Sequence, residues 1–165
     1  MTTIRAETPE DRAAVRHVNE AAFGRAAEAD LVDRLKADGH VLTSLVADQD
    51  GEIVGHILFT RLPVAGFSGE AAALAPMAVR PDRQRSGIGG ALIRAGVDTC
   101  REFGIDAIVV LGHEHYYPRF GFSVEAARSL DSPFSGPAYM ALILQSGVML
   151  TGKVEYPRAF FEVDP

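Results

Sequence analysis

The chain holds one cysteine, Cys100, in 165 residues, and a lone thiol closes no intrachain disulfide. It stands at helical spacing among Val97, Arg101 and Phe103, a setting that suits a small core side chain better than a nucleophile. No run approaches the ~18 apolar residues of a membrane-spanning helix. The opening Met1-Thr2-Thr3-Ile4-Arg5 lacks the apolar stretch of a signal peptide, so a cytoplasmic location without membrane association is expected. Positive charge is also short. The 16 Lys and Arg against 22 Asp and Glu leave a net charge of −6, which argues against a nucleic-acid partner and agrees with a cationic or amine one. Repeats, low-complexity tracts and linkers are absent, and residues 1–165 read as one domain long enough to bury a substantial core.

What the chain does have is a dense motif, Val79-Arg80-Pro81-Asp82-Arg83-Gln84-Arg85-Ser86-Gly87-Ile88-Gly89-Gly90-Ala91-Leu92-Ile93. It reads as a strand end, a basic glycine-rich turn and the start of an apolar-periodic helix. Pro81 biases Arg80 away from helix and forces the turn. Glycines let backbone approach a ligand closely, and the free N–H groups of a first helical turn attract anions. Arg83 and Arg85 add charge, so a phosphate or pyrophosphate is the natural occupant. The third glycine of a dinucleotide-binding fingerprint is missing, and so is the G-K-[ST] of a P-loop.

A second segment follows at the right distance. Gly104-Ile105-Asp106-Ala107-Ile108-Val109-Val110-Leu111-Gly112 has the short apolar run of a buried parallel strand, completing a β-α-β unit around the helix predicted over 88–103. His113-Glu114-His115-Tyr116-Tyr117-Pro118-Arg119-Phe120-Gly121-Phe122 comes next. The loop Gln84-Arg85-Ser86-Gly87-Ile88-Gly89 matches [RQ]-x-x-G-x-[GA], and the tyrosine turn before Gly121-Phe122 lies about 30 residues on. In these two features the chain resembles the GNAT superfamily of acyl-CoA-dependent N-acetyltransferases.

Elsewhere, strands are expected over 3–6, 42–47, 53–62, 71–79 and 139–144, with a final stretch at 153–156 closing the sheet as a terminal hairpin. Thr8-Pro9-Glu10-Asp11 reads as a helix start with Thr8 as cap, running to Phe23-Gly24, and a second helix spans 26–37 with Leu31, Val32 and Leu35 on one stripe. The stretches 66–70 and 129–137 read as a turn and a loop. The resemblance, which covers residues 3–158, implies an α/β fold: a mixed, mostly antiparallel sheet of about seven strands, a central β-α-β unit and helices on both faces.

The resemblance also implies a site. Gln84, Arg85, Ser86, Gly87, Ile88, Gly89 and Gly90 would hold the CoA pyrophosphate. Strands 71–79 and 107–111 would splay, placing Met77, Ala78 and Val79 along the pantetheine arm as though it were an added strand. Tyr117 would protonate the leaving thiolate, a role suited to a phenol of pKa near 10, with adjacent Tyr116 as the competing assignment. The activity implied is acetyl transfer from acetyl-CoA to a primary amine of a small molecule or peptide, by direct attack in a ternary complex. A non-catalytic acyl-CoA-binding module and transfer of a different acyl group are the alternatives. His113, Glu114 and His115 are candidate bases. His-x-His has metal-ligand spacing too, but only Glu114 stands by as a third ligand, and the family uses no metal. Glu28, Phe23-Gly24-Arg25 and residues 146–152 fall where the family walls its acceptor pocket, and homodimers are common in it. Arg119 is a further candidate contact for CoA phosphate. His56, inside an apolar strand, reads as a satisfied sheet histidine, and His17 and His40 as surface residues.

Overall fold

The computed structural model of the chain describes residues 1–162. β1 (Thr2–Ala6) passes through a 3-10 turn at Pro9–Asp11 into α1 (Arg12–Phe23). The Asp11 carboxylate accepts the Thr8 N–H at 2.8 Å and a guanidinium nitrogen of Arg5 at 2.7 Å. Thr8 is the N-cap as expected, with Asp11 reaching back to it as the acid of a capping box, and the first turn is 3-10, tighter than the helix expected from Thr8 onward. Gly24, left-handed at φ 69°, closes α1. α2 (Ala27–Ala37) buries Leu31, Val32 and Leu35 as its stripe predicts. β2 (Val41–Gln49) and β3 (Glu52–Arg61) form a hairpin about Asp50-Gly51. There follow β4 (Val64–Ala65), β5 (Ala71–Val79), a 3-10 turn at Pro81–Arg83, α3 (Ile88–Glu102) and β6 (Ala107–Leu111). A 3-10 turn at Tyr117–Phe120, α4 (Val124–Ala127), β7 (Leu130–Asp131), β8 (Tyr139–Ile143), β9 (Gly152–Val154) and α5 (Ala159–Glu162) complete the described chain.

Six strands form one sheet in the order β1-β2-β3-β5-β6-β8, antiparallel except for the β5–β6 pair that α3 connects. The expected α/β architecture and its central β-α-β unit are present. The strands divide six and three rather than lying in one sheet of about seven. β4, β9 and β7 make a separate three-stranded sheet, so the 153–156 stretch joins β4 and β7 rather than forming a hairpin with β8.

Alternation along β2 and β3 sends side chains to two cores. Leu45, Ala47, Ile57 and Phe59 face Ile88, Leu92, Ile93, Val97 and the buried Cys100 of α3. Val46 and Leu58 face Val15, Leu31, Val32 and Leu35 of α1 and α2. Helices thus cover both faces. Two glycines let α3 seat closely. A Cβ on Gly96 would stand 2.2 Å from the Phe59 ring, and one on Gly55 would meet Leu92 at 3.0 Å and Ile88 at 3.1 Å.

The centre of the large sheet is interrupted. β6 pairs with β5 only from Ala71 to Leu74. Pro76 then offers no N–H to a ladder, and β5 carries an extra residue against β3, since Ile57 pairs with Met77 but Phe59 with Leu74. Met77, Ala78 and Val79 keep β3 as partner and have none on the β6 side.

Candidate active site

The gap between β5 and β6 opens where the chain turns into α3. Arg85 (φ 64°) and Gly87 (φ 88°) are both left-handed, and Gly87 caps α3 without any side-chain acceptor. The N–H groups of Gly87, Ile88, Gly89 and Gly90 accordingly find no acceptor among the described residues. Four unpaired donors at the start of a 15-residue helix suit an anion. Gln84 turns back instead, donating through Nε2 to the Val79 carbonyl at 3.0 Å, and Ser86 Oγ donates to the Arg83 carbonyl. Arg80 and Arg83 are engaged by Asp82 at 2.8 Å each. Arg85, Arg94 and Arg119 have no carboxylate partner among the described residues, which leaves the uncompensated positive charge on this side of the gap.

The turn after β6 brings both tyrosines to the same place. Tyr116 meets Tyr117 edge-on at 5.3 Å and Phe120 at 5.2 Å, with the Arg119 guanidinium 5.5 Å from its own ring centre. The Tyr116 hydroxyl reaches over to α3: a Cβ on Gly89 would lie 2.8 Å from it and 3.5 Å from Met77 Cε. Tyr117 is buried against Phe122, and its ring lies where a Cβ on Gly112 would stand, 2.5 Å from Cε2. Its hydroxyl makes no hydrogen bond to the described residues, and burial, with Tyr116 adding to it, pushes its pKa up to about 12. An open hollow of about 590 Å³ lies over this turn, lined by Gly112, His113, Glu114, His115, Tyr116, Arg119 and Ala138.

The structure thus brings together Met77, Ala78, Val79, Gly87, Ile88, Gly89, Gly90, Tyr116 and Tyr117. It places others elsewhere. Glu28 is turned onto Arg25 in a two-point ion pair at 2.6 and 3.0 Å. His113, Glu114 and His115 are exposed on the hollow, and no cluster of three His, Cys, Asp or Glu residues among the described residues is disposed to hold a metal. Burial pushes the Cys100 thiol up to about 12, which removes it as a nucleophile. His56 is satisfied on both ring nitrogens, but its partners, Asn19 and Ser44, were not legible in the sequence. They lie far apart along the chain, and only the β2–β3 register and the docking of α1 bring them to the ring.

A mixed sheet parted beside a parallel strand pair, with a donor-rich helix start at the opening, offers one ligand both a free strand edge and an anion-attracting helix start. The chain matches the Acetyltransferase (GNAT) family over residues 12–122 and belongs to it. It is 33% identical over 162 residues to the uncharacterized N-acetyltransferase YhbS of Escherichia coli strain K12, covering 95% of this chain and 97% of that protein. It is 46% identical over 119 residues to the uncharacterized N-acetyltransferase YjhQ of the same strain, a match spanning 68% of this chain and 64% of YjhQ. Its structure is similar to that of E. coli YhbS in complex with CoA, with a TM-score of 0.90 over 99% of this chain and 93% of that one. A GNAT family acetyltransferase from Brucella melitensis in complex with acetyl-CoA is 36% identical, with a TM-score of 0.83 over 97% of this chain and 98% of that one.

Proposed function

We propose that the protein transfers an acetyl group from acetyl-CoA to a primary amine by direct attack within a ternary complex. The observation that carries this is the parted sheet: β5 offers Met77–Val79 without a β6 partner, directly upstream of the unpaired N–H groups of Gly87–Gly90. The backbone donors suit a pyrophosphate, with Arg85 beside them in place of the engaged Arg83, and the free edge of β5 suits the amides of a pantetheine arm. Two similar proteins hold CoA and acetyl-CoA in their structures.

The amine attacks as the free base, so its ammonium form first loses a proton to water. The nitrogen lone pair forms the C–N bond, the C–S bond breaks, and the nitrogen sheds its second proton to water. Tyr117 meets the departing sulfur. Its raised pKa keeps it a phenol until charge develops there, and the same rise makes full transfer to an alkyl thiolate, whose thiol titrates near 8.5, uphill. Its contribution is chiefly a hydrogen bond to the sulfur that strengthens as the bond breaks.

The test pairs calorimetric binding of CoA with thiol release from acetyl-CoA across a panel of primary amines. Binding together with amine-dependent thiol release is expected. Tight binding with no release for any amine would leave a cofactor-binding module instead.

A further inference from the structure

On the sheet face away from α3, α1 packs across both β3 and β5. It buries one polar side chain completely, Asn19. Asn19 Nδ2 donates to the Val15 carbonyl at 3.0 Å and lies 3.1 Å from His56 Nδ1. Both amide hydrogens are thereby used, and the orientation of the amide is settled, because its oxygen in the same place would face the Val15 carbonyl, acceptor against acceptor. His56 Nδ1 therefore accepts, and Nε2 carries the hydrogen given to Ser44 Oγ at 2.8 Å. Ser44 donates onward to Glu7 Oε1 at 2.6 Å, and Lys36 pairs with the other Glu7 oxygen. Burial, with Lys36 nearby, pushes the His56 pKa down to about 3, so its Nδ1 lone pair stays available throughout the neutral range.

One atom of this array has no partner. Asn19 Oδ1 is buried and accepts no hydrogen bond; Thr60 Oγ1, farther along β3, is the other such side-chain atom among the described residues. An orphaned amide oxygen costs about 1–3 kcal/mol, and a buried one in a native structure calls for a donor. Its position says which. His56 stands opposite Ala78, within the β5 stretch that has no β6 partner, so the Asn19–His56 pair sits over the strand that borders the gap. Ala78 contributes only a methyl group there.

We propose that Asn19 Oδ1 accepts an N–H of the attacking amine, and that His56 is the positioning residue that keeps the amide oxygen, not its NH2, turned toward it. This rests on the acetyl-transfer reading above. A neutral primary amine offers a hydrogen to Oδ1 and keeps its lone pair for the thioester carbon. As the C–N bond forms, the nitrogen becomes cationic and the N–H···O bond strengthens, so the contact favours the transition state over the ground state. The proton then leaves nitrogen for water, since an amide oxygen is too weak a base to keep it. An attacking alcohol has one hydrogen, which it must lose, and gains no such support. The site therefore selects amines.

The test uses the full chain with ethylamine, putrescine and phenethylamine, following thiol release from acetyl-CoA, with folding checked by circular dichroism. Asn19→Ala should lower kcat/KM for the amines about 10- to 100-fold, the worth of one hydrogen bond to a developing cation. The KM for acetyl-CoA and the amine-independent hydrolysis rate should stay within twofold. If Asn19→Ala does not fold, the histidine pair decides: His56→Leu frees the amide to flip and should show the same selective loss, and His56→Gln should restore the rate. Wild-type turnover with unchanged amine kcat/KM in Asn19→Ala, or in His56→Leu where the first does not fold, overturns the Asn19 assignment alone. Absence of turnover with every amine overturns the acetyl-transfer reading and this assignment with it.

Discussion

His56 makes the stability of this protein sensitive to mild acid. It is fully buried, and its folded pKa of about 3 lies below the ordinary 6.5 because burial penalises the imidazolium. Below pH 6.5 the unfolded chain takes up a proton that the folded chain refuses, so stability is complete above 6.5 and falls with pH until about 3. Each pH unit inside that window costs about 1.4 kcal/mol, so passing from pH 7.5 to 5.0 removes about 2 kcal/mol, and the full loss reaches about 5 kcal/mol near pH 3. Two kcal/mol is a large share of the roughly 5–15 kcal/mol that holds a typical domain together. The carboxylate that Arg5 holds well below its usual range, Asp11, responds only at lower pH, so the window from 7.5 to 5.0 belongs to histidine. The other four histidines are exposed or half-buried, and His56→Gln, which keeps an acceptor toward Asn19 and a donor toward Ser44 without titrating, serves as the reference. Urea unfolding followed by far-UV circular dichroism is the assay, because the chain has no tryptophan. Wild type should lose about 2 kcal/mol across this range relative to His56→Gln. Parallel pH profiles in the two proteins would refute the reasoning.

Three further outcomes are expected. Tyr117→Phe should lower kcat about 10²-fold, the low end for a group of this kind because the phenol stabilises the sulfur more than it protonates it, with CoA affinity unchanged and Tyr116→Phe much milder; wild-type kcat in Tyr117→Phe would remove it from the mechanism. Gly87→Val puts a β-branched residue at φ 88°, a strain of about 1–3 kcal/mol, and Gly89→Val drives a side chain at the Tyr116 hydroxyl; both should lose CoA binding by calorimetry, and retained affinity in both would discard the loop as its site. Gly96→Ala should destabilise by about 1–3 kcal/mol, because its methyl would stand 2.2 Å from the buried Phe59 ring; an unchanged melting temperature would mean the ring yields freely.

The elements with a strong period or strong punctuation were readable from sequence. Val15, Val18 and Leu35 announce their helices, and Gly24 marks the end of α1 with the left-handed turn it adopts. The loop from Pro81 to Gly90 was visible because a proline, two arginines and three glycines leave few other conformations. β4 and β7 were not, since two residues carry no alternation. The partner of the 153–156 stretch depends on those invisible strands, so the second sheet and the misplaced hairpin share one cause. Within the site, Gln84 fits the motif but spends its amide on Val79, a choice made by backbone geometry. The array from Glu7 to Asn19 was hidden for a different reason. Ser44 and His56 are diagonal neighbours across β2 and β3, a relation that exists only once the register is fixed.

Gly55 gives the core a hold on the loop proposed to bind CoA. It is the floor on which the first turns of α3 rest, with Ile88 and Leu92 directly above. Ile88 carries one of the four unpaired N–H groups, so any rise of that turn lifts the donors by the same distance. A single methyl at position 55 would leave every polar group of the site intact and still move the cradle, because close-packed interiors pass a displacement on rather than absorb it. The height of the unpaired N–H groups is therefore set from beneath, by the smallest residue on a strand that contributes no chemistry of its own to the loop.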